Sequence, residues 1–256
     1  MGSWRRSEAA ALPPALRARL GILAALAALA VLALGILYTG DSTPGALDER
    51  LGTEAYGVTS PWRNVALALD FLGEPAGSVA LVTALVAGCV LLRRPRTAVL
   101  LVAGAALTVG AATLLKSLVG RTIHGDNLSY PSGHTAFATT MALALALAAA
   151  GRPSLGKAAA ASLVLAAVVC AGAAMGWAEV ALGAHYPTDA LGGWCTALAV
   201  TPATAWLVDR AADRMADRTA RPRGGRPSDR SSRSTTEGTG QGTAERMAGA
   251  GRREHR

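Results

Sequence analysis

Residues 127–150, NLSYPSGHTAFATTMALALALAAA, contain the stretch that decides the fold. The part after His134 has no charged residue and consists mostly of Ala, Leu and Thr. An uncharged apolar run of about 20 residues is long enough to cross a bilayer as an α-helix. The four residues from Pro131 to His134 are Pro, Ser, Gly and His, which is an unusual start for a buried helix. The stretch therefore predicts a membrane helix that begins at a turn with polar and ionisable side chains.

Similar apolar runs recur along the whole chain of 256 residues, which is 51% hydrophobic but only 4% aromatic. Backbone polar groups in lipid must be satisfied within the segment, so these runs should be helices. The predicted fold is an all-α polytopic membrane helical bundle with six transmembrane helices. An additional short helix on the membrane surface is predicted at about 61–72. The predicted spans are approximately 20–38, 76–92, 97–115, 134–150, 158–177 and 187–208.

The net charge of +8 is unevenly distributed. Arg and Lys concentrate before the first span, at 93–96, at 151–157 and after the last span, and basic loops stay on the cytoplasmic side. We therefore expect both termini in the cytoplasm and a multi-pass location in the plasma membrane. The predicted organisation is a basic cytoplasmic N-terminus at 1–19, a membrane domain at 20–208 and a cytoplasmic segment at 209–256. That last segment should begin as a helix and become a disordered Arg/Gly/Ser/Thr-rich tail.

The basic charge does not indicate a nucleic-acid-binding protein. Such a protein would need a folded basic surface with aromatic side chains for base stacking, and residues 209–256 contain no Phe, Trp or Tyr. The bilayer is the partner that composition predicts, and the sequence does not decide the oligomeric state.

Polar side chains gather in the segments predicted to face outward. Of the four histidines in the chain, His124, His134 and His185 lie in these segments or at the helix ends that border them. Ionisable groups near a membrane interior are costly and usually functional. Their neighbours in the same segments are Lys116, Arg121, Asp126, Ser132, Glu179 and Asp189. We therefore expect a functional site at the outer end of the bundle.

Ser132, Gly133 and His134 stand at a predicted helix N-terminus. Free N–H groups and the helix dipole favour an anion there, and glycine permits close backbone approach. Lys116 and Arg121 would add positive charge on the same face. This arrangement predicts a site for phosphate or a similar oxyanion. A plain N-cap would account for the serine but not for the histidine or the nearby cations.

A second motif is HYPTD, from His185 to Asp189. Residues four apart share one helix face, so Asp189 can accept a hydrogen bond from one ring nitrogen of His185 and orient the ring. The other nitrogen is then available as a nucleophile or a base. The His and acidic residues lack the tight spacing of HExxH-type motifs. The sequence therefore favours a site with no metal and no cofactor.

LKSLVGR at 115–121, YPSGHT at 130–135 and GAHYPTD at 183–189 resemble, in order and spacing, the type-2 phosphatidic acid phosphatase superfamily. Its members include lipid phosphate phosphatases and undecaprenyl pyrophosphate phosphatases. The resemblance covers about 76–208. It implies a six-helix membrane phosphatase with an outward-facing site that needs no metal and acts on a membrane lipid phosphate.

The resemblance also implies a role for each matching residue. His185 would attack phosphorus and form a phosphohistidine, Asp189 would orient it, and His134 would protonate the leaving oxygen. Substrate oxygens would be bound by Lys116, Arg121, Ser132 and Gly133.

Two positions depart from the family pattern. The arginines of the first and third motifs are replaced by Ile123 and Glu179, respectively. Two alternatives to hydrolysis of a lipid phosphate or pyrophosphate monoester therefore stay open. One is a lipid-linked phosphoryl or glycosyl-phosphate transferase. The other is a non-catalytic protein of the same fold that binds an anionic lipid.

Overall fold

A computed structural model describes residues 10–52, 55–152 and 154–220. The predictions for residues 1–9 and for the tail beyond residue 220 concern segments outside the described residues. Contacts divide the chain into Met1–Arg218 and Thr219–Arg256, and of the second unit only the end of the last helix is described. The helices are α1 Arg17–Leu37, α2 Ala46–Gly52, α3 Trp62–Gly73, α4 Pro75–Leu91, α5 Pro95–Val119, α6 Gly133–Ala150, α7 Lys157–Ala181 and α8 Pro187–Ala220.

This architecture confirms the all-α polytopic bundle. Among the described residues, five helical segments are long and apolar enough to cross a membrane, namely Pro14–Leu37, α5, α6, α7 and Pro187–Thr219. The sixth predicted span corresponds to α3 and α4, which pass the same test only as a pair bent by 69°. The separate helix predicted at 61–72 is thus present as α3, and it turns away from the axis of α4. The protein is a multi-pass membrane protein.

Helix α6, which contains the opening stretch, is at the centre of the bundle and packs against α5 and α7. Leu143 and Leu147 are fully buried in the core. Hydroxyl groups link the central helices, because Thr140 donates to Thr108 at 3.1 Å and accepts from Thr201 at 3.1 Å. Each such bond between membrane helices contributes only about 0.6 kcal/mol. The two hydroxyl pairs therefore make only a small contribution to the stability of the helix contact.

The end of the bundle near the N-terminus is held by Asp209 of α8. Its carboxylate accepts the backbone N–H groups of Ala11 at 2.7 Å and Leu12 at 2.9 Å. Arg96 at the start of α5 pairs with the same carboxylate at 3.3 Å. The first described residues, the 93–96 loop and Asp209, where the predicted C-terminal segment begins, thus meet at one end of the bundle.

At the opposite end, two helices continue further than predicted. α5 extends to Val119 and ends at Gly120 in the left-handed conformation, with φ of 65°, as is common after helix C-termini. α7 extends to Ala181 because the sequence AEVA continues a helix readily. Lys116 and Glu179 are therefore helical residues and not loop residues. A small antiparallel hairpin that the sequence did not predict pairs β1, Thr122–Ile123, with β2, Asn127–Leu128.

The start of α8 packs directly on the turn before α6. The Ser132 N–H donates to the Asp189 carbonyl oxygen at 2.9 Å. A Cβ atom on Gly193 would overlap the Ser132 carbonyl oxygen, and one on Gly192 would overlap the Tyr130 ring. Glycine at these two positions permits the close approach. This contact places the two motifs beside each other.

Candidate active site

The two motif histidines meet at the end of the bundle where α5 and α7 end and where α6 and α8 begin. Helix α3 lies across this end and packs on α6 and α7. Gly73, its last residue, lies against the His134 ring, which a Cβ atom would overlap. The structure thus brings together residues from five helices that are far apart in the chain.

His185 is only 6% exposed. Its Nδ1 faces Asp189 Oδ2 at 3.7 Å, and its Nε2 faces Glu179 Oε2 at 3.4 Å. The carboxylate of Asp189 is held in place by the Tyr186 N–H at 3.0 Å. Burial lowers the pKa of His185 below its ordinary value of 6.5, and the nearby Asp189 only partly opposes this shift. A neutral imidazole of this kind is suited to nucleophilic attack.

His134, the second residue of α6, is 24% exposed, and its two ring nitrogens face different groups. Nδ1 lies 3.8 Å from Glu179 Oε2, on the side of His185. Nε2 lies 3.7 Å from both Asp70 Oδ1 and Glu74 Oε1 of the α3–α4 corner. The His134 ring therefore lies between Glu179, on the side of His185, and the two acids Asp70 and Glu74.

Glu179 is 1% exposed and lies between the two histidines. Its Oε1 has no hydrogen-bond partner within the described ranges. Donor atoms of Asp70, His134 and Glu179 all lie within 4.8 Å of one another. The sequence analysis placed Glu179 near the site but missed Asp70 and Glu74. Asp70 lies in the last turn of α3, and Glu74 lies at the corner between α3 and α4.

Arg121, predicted to bind substrate, is completely buried. Its guanidinium donates to Asp189 Oδ1 and Asp48 Oδ2, each at 2.6 Å, and to Thr188 Oγ1 at 2.7 Å. Burial alone would lower the pKa of Arg121, but the two carboxylates outweigh burial and raise it. The side chain is therefore a fixed cation that holds Asp189.

Two aromatic rings enclose this guanidinium. Its carbon atom lies 4.1 Å from the centre of the Tyr38 ring and 4.4 Å from that of Tyr186. A cation between two ring faces is stabilised by both. The position of Arg121 is thus fixed by three hydrogen-bond acceptors and two aromatic rings.

Asp48 of α2 is a buried residue that the sequence analysis did not connect with the site. It accepts hydrogen bonds from the Thr188 N–H at 2.8 Å, the Thr188 hydroxyl at 2.7 Å and the Gly45 N–H at 3.0 Å. Burial raises the pKa of a carboxyl group, but the bonds from Thr188 and Arg121 lower the pKa of Asp48 overall. Nothing in the local sequence of α2 distinguishes Asp48 from its exposed neighbour Glu49.

Ser132 caps α6. Its hydroxyl accepts the Thr135 N–H at 3.2 Å and donates to the Thr135 hydroxyl at 3.1 Å. Gly133 has open space beside it, because no described heavy atom lies within 4 Å of where a Cβ would be. A ligand can therefore approach the first turn of α6 at Gly133, whereas the Ser132 hydroxyl is already engaged.

The remaining predicted cation, Lys116, lies in the last turn of α5 and donates to the Leu128 carbonyl oxygen at 3.0 Å. His124 is exposed and bonds through Nε2 to the Gly183 carbonyl oxygen at 2.8 Å. His124 therefore links the segment after α5 to the segment after α7 and stands apart from the His134–His185 pair.

Comparison with known proteins bears on the family and on the fold. Residues 97–213 match the family model of the PAP2 superfamily, which confirms the predicted resemblance. The matched region includes both histidine motifs but not Asp48, Asp70 or Glu74.

A solved structure is similar over most of the chain: the crystal structure of the first transmembrane PAP2 type phosphatidylglycerolphosphate phosphatase from Bacillus subtilis. It has 21% sequence identity and a TM-score of 0.57, covering 78% of this chain and 98% of that chain. At this identity the likeness establishes the fold. No curated protein matches the sequence.

Proposed function

We propose that this protein, whose residues 97–213 match the PAP2 superfamily, is an integral membrane phosphatase of a lipid phosphate or pyrophosphate monoester. The observation on which the proposal rests is the buried His185, flanked by Asp189 and facing His134 across Glu179. The structural neighbour is named as a phosphatidylglycerolphosphate phosphatase, which supports a lipid substrate. A site at the end of a membrane bundle is also accessible to a lipid headgroup.

The reaction proceeds in two steps. His185 Nε2 attacks phosphorus, and the bond to the leaving lipid oxygen breaks as that oxygen receives a proton from His134. The phosphohistidine is then hydrolysed by water, which gives up its proton to His134 and releases phosphate. Lys116 and the N–H groups at the start of α6 stabilise the charge on the phosphoryl oxygens.

Asp189 orients the His185 ring and stabilises the positive charge that develops on it. Arg121 holds Asp189 in that position through the 2.6 Å ion pair. We therefore assign Arg121 a positioning role in place of the substrate contact predicted from the sequence. The Ser132 hydroxyl acts in the same way, because it fixes the first turn of α6.

We also propose that the site opens on the extracytoplasmic face and that the membrane is the plasma membrane. The histidines lie at the opposite end from Asp209 and the Arg-rich loops, which the positive-inside rule places in the cytoplasm. Both termini are then cytoplasmic.

The test is phosphate release by the purified full-length protein from phosphatidate, phosphatidylglycerol phosphate and polyprenyl pyrophosphates. His185→Asn should reduce release by more than about 1,000-fold, as expected for loss of a nucleophile. His124→Asn is the matched control, because His124 is an exposed histidine with a positive φ of 51°, which Asn tolerates. No release from any of these substrates, or equal release by the His185→Asn variant, would rule out the proposal.

Transfer to an alcohol is the second candidate, favoured by the position of Glu179. Its Oε2 lies 3.4 Å from His185 Nε2, where it could accept the proton of an incoming hydroxyl group. Adding a lipid alcohol to the assay separates the two reactions. A transferase would form a phosphorylated acceptor at the expense of free phosphate.

A further inference from the structure

Four buried side chains form a continuous hydrogen-bonded network beside His185. Arg121 lies at its centre and donates to Asp48 Oδ2 and Asp189 Oδ1, each at 2.6 Å. The Thr188 hydroxyl accepts from Arg121 at 2.7 Å and donates to Asp48 Oδ1 at 2.7 Å. All four side chains belong to residues that are at most 1% exposed. A single guanidinium thus connects Asp48 to the acid that faces the histidine nucleophile.

The charges in this network do not cancel. Arg121 contributes +1, and Asp48 and Asp189 contribute −1 each, so their sum is −1. Burial raises the pKa of Asp48, but its hydrogen bonds from Thr188 and Arg121 lower the pKa overall, so Asp48 is ionised at neutral pH. Without Asp48, the Arg121–Asp189 pair would be neutral. Buried charges are screened only weakly, so this difference of one charge acts on the neighbouring imidazole.

We propose that Asp48 is a positioning residue of the active site, which acts through Arg121 to keep the surroundings of His185 negatively charged. Asp48 belongs to α2 and precedes the region that matches the family model. Its catalytic consequence rests on the proposed function. The His185 ring gains positive charge when its Nε2 bonds to phosphorus, and a net negative network stabilises that charge. Asp189 alone, paired with Arg121, would stabilise it less.

Other ionisable groups also act on His185, and none of them is changed in the test. Apart from Asp189, the groups that face His185 or affect its pKa are Glu179 of α7, His134 of α6 and Lys116 of α5. Two tyrosines lie close enough to the network for its charges to affect them. Burial raises the pKa of Tyr56 and Tyr186 above 10, so both stay neutral at the pH values at which His185 titrates.

The charge state of His185 is measured first, without any activity measurement. Full-length protein labelled with ¹⁵N-histidine is titrated in detergent micelles, and the ring signals of its four histidines are followed by NMR. The His185 signal is identified by its absence from the His185→Asn variant. Asp48→Asn should lower the midpoint of the His185 titration by about 0.5 pH units, because a negative charge is lost. A charge about 4–6 Å away would shift it by roughly 1–3 units, and Asp48 acts from beyond Arg121.

Three further variants show whether charge is responsible. Arg121→Met changes the sum from −1 to −2, so the midpoint should rise. Thr188→Val keeps every charge but removes the hydroxyl group that bonds to Asp48 and Arg121, so the midpoint should stay at the wild-type value. Glu49→Gln is the matched control, because Glu49 is the exposed neighbour of Asp48 and should not affect His185. Thermal unfolding shows whether each variant is folded.

Phosphate release then tests the catalytic role. In Asp48→Asn, the acidic limb of kcat/KM should move to lower pH by the same amount as the His185 midpoint. The value of kcat should fall about 3-fold, which is the factor that corresponds to about half a pKa unit. KM should change little, because Asp48 acts on His185 and not on the substrate.

Two results would overturn the role of Asp48: an unchanged His185 midpoint in Asp48→Asn, or an equal downward shift in Thr188→Val. If Asp48→Asn does not fold, Arg121→Met decides, and a midpoint at or below the wild-type value would then overturn the role. Failure of the proposed function is distinguishable from these results. It would appear as midpoint shifts with the expected signs but no phosphate release by the wild type.

Discussion

Replacing Arg121 with Met should both destabilise the protein and misplace its nucleophile. Loss of the guanidinium leaves Asp48 with three donors, two from Thr188 and one from Gly45. Asp189 retains only the Tyr186 N–H, bound to Oδ2, so its buried Oδ1 loses its recorded partner. Breaking a buried ion pair by removing one partner costs about 3–5 kcal/mol. Most of this cost arises at Asp189.

The expected fall in unfolding temperature is on the order of 10 °C for a chain of this size. Thermal unfolding in detergent micelles measures this shift. The same substitution should reduce kcat by about 100-fold or more, because a displacement of about 1 Å in a catalytic group has this effect. KM should change little, since Arg121 holds Asp189 and not the substrate.

Arg121→Lys is the companion variant. A lysine restores the charge but cannot reach both carboxylates and Thr188 with one ammonium group, so it should recover only part of the stability and of kcat. The reasoning is refuted if Arg121→Met unfolds at the wild-type temperature and shows a raised KM with unchanged kcat. That pattern is the signature of a substrate contact.

Two further predictions concern His185 and the helix contact that positions it. Because burial lowers the pKa of His185 below 6.5 and the neutral ring is the nucleophile, the acidic limb of kcat/KM should be centred below pH 6.5; an acidic limb centred above pH 6.5 would contradict this. Gly193→Ala should destabilise the protein by about 1–3 kcal/mol, because its Cβ would overlap the Ser132 carbonyl oxygen. Gly110→Ala is the control in thermal unfolding, because no described atom outside its helix lies within 4 Å of where its Cβ would be. Equal stability of the two variants would show that the contact between Gly193 and Ser132 tolerates a methyl group.

Local sequence was sufficient to predict the bundle and part of the site. The length of each apolar run predicts a span, and the distribution of Arg and Lys predicts which loops share a side. The structure places the 93–96 loop at the same end as the first described residues, as expected. The proximity of His185 and Asp189 was also predicted, although His185 lies just before α8, which begins at Pro187, and its Nδ1 is 3.7 Å from the Asp189 carboxylate, farther than the predicted hydrogen bond.

The helix ends near the site were predicted less well. Lys116 and Glu179 lie in the last turns of α5 and α7, because polar residues at the membrane boundary do not end a helix when the backbone can continue its hydrogen bonds. Placing Glu179 in a helix fixes the direction of its carboxylate. This direction is what places Glu179 between the two histidines.

The partners of the site residues were decided by tertiary structure alone. Arg121 stands near the motif residues in sequence, as a phosphate ligand would, but α2 brings Asp48 against it and turns it into a buried anchor for Asp189. Asp70 and Glu74 reach His134 only because α3 lies across the end of the bundle. The apolar runs in the sequence indicate how many helices can cross the membrane and approximately where each one lies. The partner of a buried charge depends on how separate helices pack, and no local pattern in this chain encodes that packing.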